Sequence, residues 1–247
     1  MIELLTISYS PWSEKARWAL DHHGVRYQEV EYQPLLGEPA LRKRLGKWFG
    51  KISIPLLLKA DGAIEDSFEI ARYAEEIGSS PTALFPARHV SEIKRWNAQC
   101  ETAMQAGRAI VTVRTMQDPD ARKEAMPPLP PALSGILRKP LTRFGAAYLR
   151  RKYQYTSAID EQQKALTRVL LSLEEILRDG RPYVLGELFS YADVCMATAL
   201  QCVRPVTDEF VKLGPATRKA WTNESLAERF TGLLDWRDQL YESHRLN

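Results

Sequence analysis

The chain has 247 residues, 45% of them hydrophobic, which is enough for one large domain or two modest ones and too many for a disordered tail. Lys and Arg number 34 against 31 Asp and Glu, a formal net charge of +3 that makes no case for nucleic acid. No run approaches the roughly 18 apolar residues of a membrane-spanning helix, and Cys100, Cys195 and Cys202 are too few and too scattered for a disulfide framework or a CxxC zinc site. No metal site is therefore expected. A charged Glu3 inside a strand-like start speaks against a signal peptide, so the cytoplasm is the expected compartment.

Ile2–Ile7 reads as a strand, followed by "YSPWSEKARW", with Ser10 at an N-cap and Pro11 at the first helical position. That helix runs to about His22 and stops before Gly24. Arg26–Tyr32 carries the alternation of a second strand, and Leu41 and Leu45 mark a short helix. Pro55–Leu58 is an apolar strand, Asp61-Gly62 a tight hairpin, and Ala63-Ile64 the return. Asp66 opens a further helix, with Glu69 placed as in a capping box and Ile70, Ala74 and Ile77 on one face. The order is β-α-β-α-β-β-α.

Pro81 and Pro86 bracket a linker, and from Val90 onward the pattern is helical. Ile159, Leu166, Val169, Leu170, Leu173 and Leu177 form a buried stripe. In "FSYADV", Ser190 and Asp193 make a capping box and Phe189 with Val194 a hydrophobic staple, which is a folding signal and not a chemical one. The expected division is residues 1–80, a linker at 81–89, and a helical domain at 90–247 with a Pro-rich basic insertion near 118–155. Arg138, Lys139, Arg143, Arg150, Arg151 and Lys152 fall in that insertion without an acid between Ser134 and Ser157. They read first as a solvated face, with an anionic partner or contact to a membrane surface as the less favoured reading.

Three separated stretches, "YSPWSEKARWAL", "SIPLLL" with "EDSFEIARYAEE", and "FSYADVCMATAL", occur in the order seen in the cytosolic glutathione transferase superfamily, which the chain resembles. The resemblance implies an α/β thioredoxin-like N-terminal domain on an all-α C-terminal domain, a homodimer, and glutathione as cosubstrate. It implies a cis Ile54–Pro55 bond that leaves the Ile54 backbone for the cysteinyl part of glutathione. Asp66 would face the γ-glutamyl ammonium, and Ser67 with nearby amides its carboxylate. The family more often has Glu before this Ser. Lys51 would reach the glycine carboxylate, although "GKISIP" holds two more residues before Pro than the family's frequent "GKVP". Arg17 would form a structural ion pair.

A thiol with a pKa near 8.5 needs about 3 kcal/mol of anion stabilisation to drop by roughly two units. A hydroxyl and amides at a helix N-terminus can supply this. Three hydroxyls compete. Ser10 stands where omega-like transferases have Cys and zeta-like ones Ser; Tyr9 resembles the Tyr of the alpha, mu and pi classes; Ser13 lies one turn further on. Ser in place of Cys disfavours disulfide exchange through this position. The electrophile pocket would draw on Trp12, Met104, Arg108 and Thr112, while Trp221, Phe230 and Trp236 read as packing. The expected function is a glutathione S-transferase acting on an electrophilic small molecule. The alternatives are a fold relative that binds a ligand, partner or membrane surface without turnover, and a glutathione-dependent isomerase, lyase or dehalogenase.

Overall fold

The computed structural model describes residues 2–34, 37–125 and 159–245. Of the expected Pro-rich basic insertion, 118–125 are described and 126–155, with all six of the basic residues named above, lie outside the described residues. In the N-terminal region the elements are β1 (Glu3–Thr6), α1 (Pro11–His22), β2 (Gln28–Glu31), α2 (Glu38–Leu45), β3 (Leu56–Lys59), β4 (Gly62–Glu65) and α3 (Ser67–Ile77). The sheet order is β2-β1-β3-β4, with β1 parallel to β2 and antiparallel to β3, and β3 antiparallel to β4. This is the mixed four-stranded sheet of a thioredoxin-like domain, and its order matches the β-α-β-α-β-β-α expectation.

Strand periodicity of two decides which helix each residue meets. Leu4 and Leu57 point to the side of α1 and α3, where they join Ala16, Leu20, Ile70 and Ala74 in the main core. Leu5, Leu56 and Leu58 point the other way and pack with Leu41 of α2. The sheet is therefore covered on both faces, and β1 and β3 at its centre are the buried strands. β2 forms one edge and is largely exposed.

The rest of the described chain is helical: α4 (Val90–Gln117), α5 (Pro119–Glu124), α6 (Ile159–Leu177), α7 (Tyr191–Ala199), α8 (Pro215–Trp221), α9 (Glu224–Arg229) and α10 (Thr231–His244). The stripe read from the sequence of α6 buries Leu166, Val169, Leu170 and Leu173, as its spacing requires. α7 is buried at every residue, so it serves as the centre of the helical domain. α4 packs against both, and Gly107 lets it approach the 3-10 turn Leu200–Cys202, because a Cβ there would collide with Cys202. α1 packs on α7, which joins the two regions.

At the start of α7, Asp193 Oδ2 accepts the Ser190 N–H at 2.8 Å and the Ser190 hydroxyl at 2.9 Å. Its Oδ1 accepts the Val184 N–H at 2.7 Å, which ties the preceding loop to the helix. The capping box expected from "FSYADV" is present. Burial pushes the Asp193 carboxyl up to about 7 against the pull of these donors. No helix among the described residues is long and apolar enough to cross a membrane.

Candidate functional site

The site is built where β1 turns into α1. The Ser10 N–H donates to Ile7 O at 2.9 Å, and Ser10 O accepts the Glu14 N–H at 2.9 Å. Ser10 therefore occupies the N-cap in backbone terms, with φ −79° and ψ 124°, yet its hydroxyl makes no capping hydrogen bond. Ser13 does the tying instead: it is fully buried, and its Oγ accepts the Ile7 N–H at 3.0 Å. Two serines of the same turn thus separate, one spent on the fold and one half-buried at the mouth of a helix.

The turn is braced from below by Arg17. Its guanidinium donates to Ser8 O at 2.9 Å, to Glu14 and to Glu29. Burial alone would weaken the Arg17 cation, and the Glu14 and Glu29 carboxylates outweigh it and raise its pKa. This is the ion pair expected for Arg17.

Two further segments come to the same end of the sheet. The Ile54–Pro55 peptide bond is cis, just ahead of β3. After β4, Asp66 turns the chain with φ +83°, a backbone region costly for any residue with a side chain, and its Oδ1 accepts the Phe68 N–H at 2.7 Å. That single bond takes the place of the reciprocal Asp66–Glu69 box read from the sequence. Ser67, the first residue of α3, is 2% exposed, and its hydroxyl has no hydrogen-bond partner. Its carbonyl accepts the Tyr191 hydroxyl of α7 at 3.0 Å, so the orphaned hydroxyl sits on a rigid support. Lys51 stands exposed on the loop before β3. The neighbouring Lys47 holds Glu65 at 2.8 Å, and Glu65 also accepts the Ser53 N–H.

On the helical side, Trp12 donates its indole N–H to Glu101 Oε2 at 2.7 Å, and the Arg108 guanidinium lies over the indole at 4.9 Å from the ring centroid. Thr112 is half-buried one turn further along α4. Met104 is fully buried, with its sulfur 3.0 Å from the Cys100 thiol, in the core cluster against which Trp12 packs. Tyr9 meets Trp221 edge-on at 5.5 Å, and the Trp221 N–H donates to Thr115 at 3.1 Å. Trp221 therefore stands beside the turn, whereas Phe230 is buried in the core and Trp236 donates to Pro182 O.

Glu101, Arg108, Thr112 and Thr115 follow one another at seven, four and three residues, a single stripe of α4 facing the Ser10 turn. Glu101 escaped the sequence reading. Its signal is Lys15, a lysine on the buried side of α1 that needs a counter-charge. A separate cleft of about 570 Å³ at the C-terminal end of α4 is lined by both signs of charge, among them Arg114, Lys219, Asp118 and Glu224.

A thioredoxin-like sheet carrying a cis-Pro strand, joined to an all-helical domain, defines the glutathione transferase fold class. Two family models match the chain: the glutathione S-transferase N-terminal domain over residues 9–77 and the glutathione S-transferase C-terminal domain over residues 156–239. The chain belongs to the glutathione S-transferase superfamily. Its fold is similar to that of a glutathione S-transferase from Methylobacillus flagellatus KT solved with glutathione bound, at 17% identity and TM-score 0.62, covering 98% of this chain and 95% of that one. A glutathione S-transferase of Ceriporiopsis subvermispora in complex with glutathione is 18% identical with TM-score 0.62, over 100% and 98% of the two chains. The beta-etherase LigF from Sphingobium sp. strain SYK-6 is 18% identical with TM-score 0.58, over 97% and 94%. No curated protein sequence matches the chain significantly.

Proposed function

We propose that this protein binds glutathione across the Ser10 turn and the α3 start, and holds its sulfur as the thiolate for attack on an electrophilic small molecule. The observation that carries the reading is the Ser67 hydroxyl, buried without a partner at a helix N-terminus. A buried hydroxyl left unsatisfied costs about 1–3 kcal/mol, and a carboxylate placed there removes that cost. The unpaired N–H groups of the first helical turn favour the same anion. Asp66, exposed beside it, offers the ammonium of the same γ-glutamyl group a negative partner. The backbone of Ile54, before the cis-Pro, offers its polar groups to the cysteinyl part. Lys51 takes the glycine carboxylate.

Ser10 then holds the sulfur. Its hydroxyl is not engaged in capping, and the amides of Trp12 and Ser13 open α1 beside it. Together they stabilise the thiolate, the thiol proton leaves to solvent, and the sulfur electron pair attacks the electrophile as its leaving group departs. Trp12, Arg108 and Thr112 flank the acceptor, and Tyr9 with Trp221 closes the other side. The same thiolate would serve glutathione-dependent isomerisation, ether cleavage or dehalogenation. The two structures solved with glutathione support the glutathione assignment by likeness of fold. We also propose a cytoplasmic homodimer: Trp48 is 62% exposed and Phe49 is 89% exposed, an aromatic pair suited to a second copy of the chain.

Ser10→Ala tests the assignment. We expect the pKa of bound glutathione, read from thiolate ultraviolet absorbance against pH, to rise, and kcat/KM to fall about tenfold or more, the loss of one hydrogen bond to an anion. Thermal stability should hardly change, because the side chain makes no capping bond. Full activity in Ser10→Ala together with loss in Tyr9→Phe would transfer the role to Tyr9. Failure of the wild-type protein to bind glutathione would overturn the reading.

A further inference from the structure

We propose that Glu101 is a positioning residue, which fixes the Trp12 indole as a wall between the sulfur site and the acceptor. The proposal rests on the glutathione reading above. Trp12 lies two residues beyond Ser10, so the orientation of its ring decides what can approach the sulfur. A tryptophan at the open end of a helix has several rotamers available. Here both its edge and its face are engaged from α4.

The indole N–H donates to Glu101 Oε2 at 2.7 Å, a contact between residues 89 apart in sequence. A lone carboxylate on α4 would itself swing among rotamers, but its other oxygen is gripped. Oε1 accepts the Lys15 ammonium at 2.8 Å, and that ammonium also donates to Asn97 Oδ1 at 3.0 Å. Lys15 is fully buried and lies one turn beyond Trp12, so two residues on the same side of α1 hold one carboxylate between them. The Arg108 guanidinium covers the ring face at 4.9 Å and opposes rotation about the remaining bond.

The energetics favour a positioning role over a stabilising one. Burying an ammonium costs desolvation that a single ion pair seldom exceeds, so the intact pair adds little net stability, although removing Glu101 alone strands the Lys15 charge and costs stability. Burial draws the Lys15 pKa down, and the surrounding Cys100, Tyr191 and Cys195 groups with the Glu101 carboxylate raise it well above its ordinary value. The ammonium, donating at once to Glu101 and to Asn97, holds the carboxylate in one orientation. What the pair delivers is a hydrogen-bond acceptor at a fixed point beside the Ser10 turn.

The test uses the full chain in four variants: Glu101→Ala, Glu101→Gln, Trp12→Phe and the double Trp12→Phe/Glu101→Ala. The substrates are glutathione and a chlorodinitrobenzene. Glu101→Ala and Trp12→Phe should each lower kcat/KM for the aryl halide by about tenfold, with the KM for glutathione moving less than about twofold. The double variant should be no worse than the worse single, because both remove one contact. Glu101→Gln should recover little of the loss, since it keeps one acceptor oxygen for two donors, the Lys15 ammonium and the indole N–H, and turns its NH2 toward one of them. The Trp12 indole N–H resonance, assigned by its absence in Trp12→Phe, should be protected from exchange in the wild type and lose that protection in Glu101→Ala.

Independent, multiplying losses in the double variant would overturn the proposal. So would equal changes in both KM values, or an indole resonance unmoved by Glu101→Ala. A wild type that neither binds nor turns over glutathione defeats the proposed function instead, and the indole resonance then still decides whether Glu101 holds Trp12.

Discussion

At the start of α7, every polar group closes on another: Asp193 accepts from Val184, from the Ser190 amide and from the Ser190 hydroxyl, and nothing is left over. At the start of α3, Asp66 bonds only the Phe68 amide, the backbone is bent through φ +83°, and the buried Ser67 hydroxyl has no partner. Both starts are built from one Ser and one Asp, with the order reversed. The closed start sits in the centre of the helical domain, where an unsatisfied group would only destabilise. The open start sits where the sheet ends, and its unmet hydrogen-bonding capacity is what a ligand can use. Tyr191 joins the two, since this first residue of α7 donates to the Ser67 carbonyl. The closed cap thereby supports the open one.

The largest effect should come from breaking the closed cap. Asp193→Ala leaves two buried amides unpaired, and we expect a loss of about 3 kcal/mol or more in denaturant unfolding. The fraction that remains folded should bind glutathione as before. Opening an already open cap should do the reverse. Ser67→Ala removes an orphaned hydroxyl, so stability should hold or rise slightly, while calorimetry should show glutathione binding about tenfold weaker. Equal losses of stability in the two variants would erase the distinction between the two starts.

The smallest expected effect is on pH. The folded state raises the Asp193 carboxyl from 3.8 to about 7, so it holds the proton more tightly than the unfolded chain does. Its contribution to stability is complete below 3.8, is lost as pH rises from there through about 7, and is gone above that. Between about pH 6 and about pH 8 the wild type should lose roughly 1 kcal/mol relative to Asp193→Asn, read from paired thermal melts. A difference that grows with pH would mean that the donors around the carboxylate outweigh its burial.

Much of the fold was readable because helix and strand signals are local. Ser-Pro, Asp-Ser and Ser-x-x-Asp announce helix starts within four residues, and the apolar run Ile2–Ile7 announces a strand. The candidate site was readable in part. Ser10, Trp12, Asp66 and Ser67 lie around one end of the sheet because each sits at or near an element boundary that the sequence marks, while Arg108, in the middle of α4, joins them by lying over the Trp12 indole. Met104 lies on the same stripe of α4 as Glu101 and Arg108 and is fully buried against Cys100, a depth that helical spacing does not encode.

By itself the sequence determined where helices begin and which residues alternate across the strands. Those are properties of a few neighbouring residues and their backbone dihedrals. Only the tertiary structure decided which hydroxyl was spent on the fold. Ser13 turned inward to the Ile7 amide while Ser10 stayed uncommitted, and Ser67 was buried with nothing to bond. It also placed Glu101 and Trp221 beside the turn, contacts across some 90 to 210 residues that no local pattern encodes, because they exist only once α4 and α8 have packed beside α1.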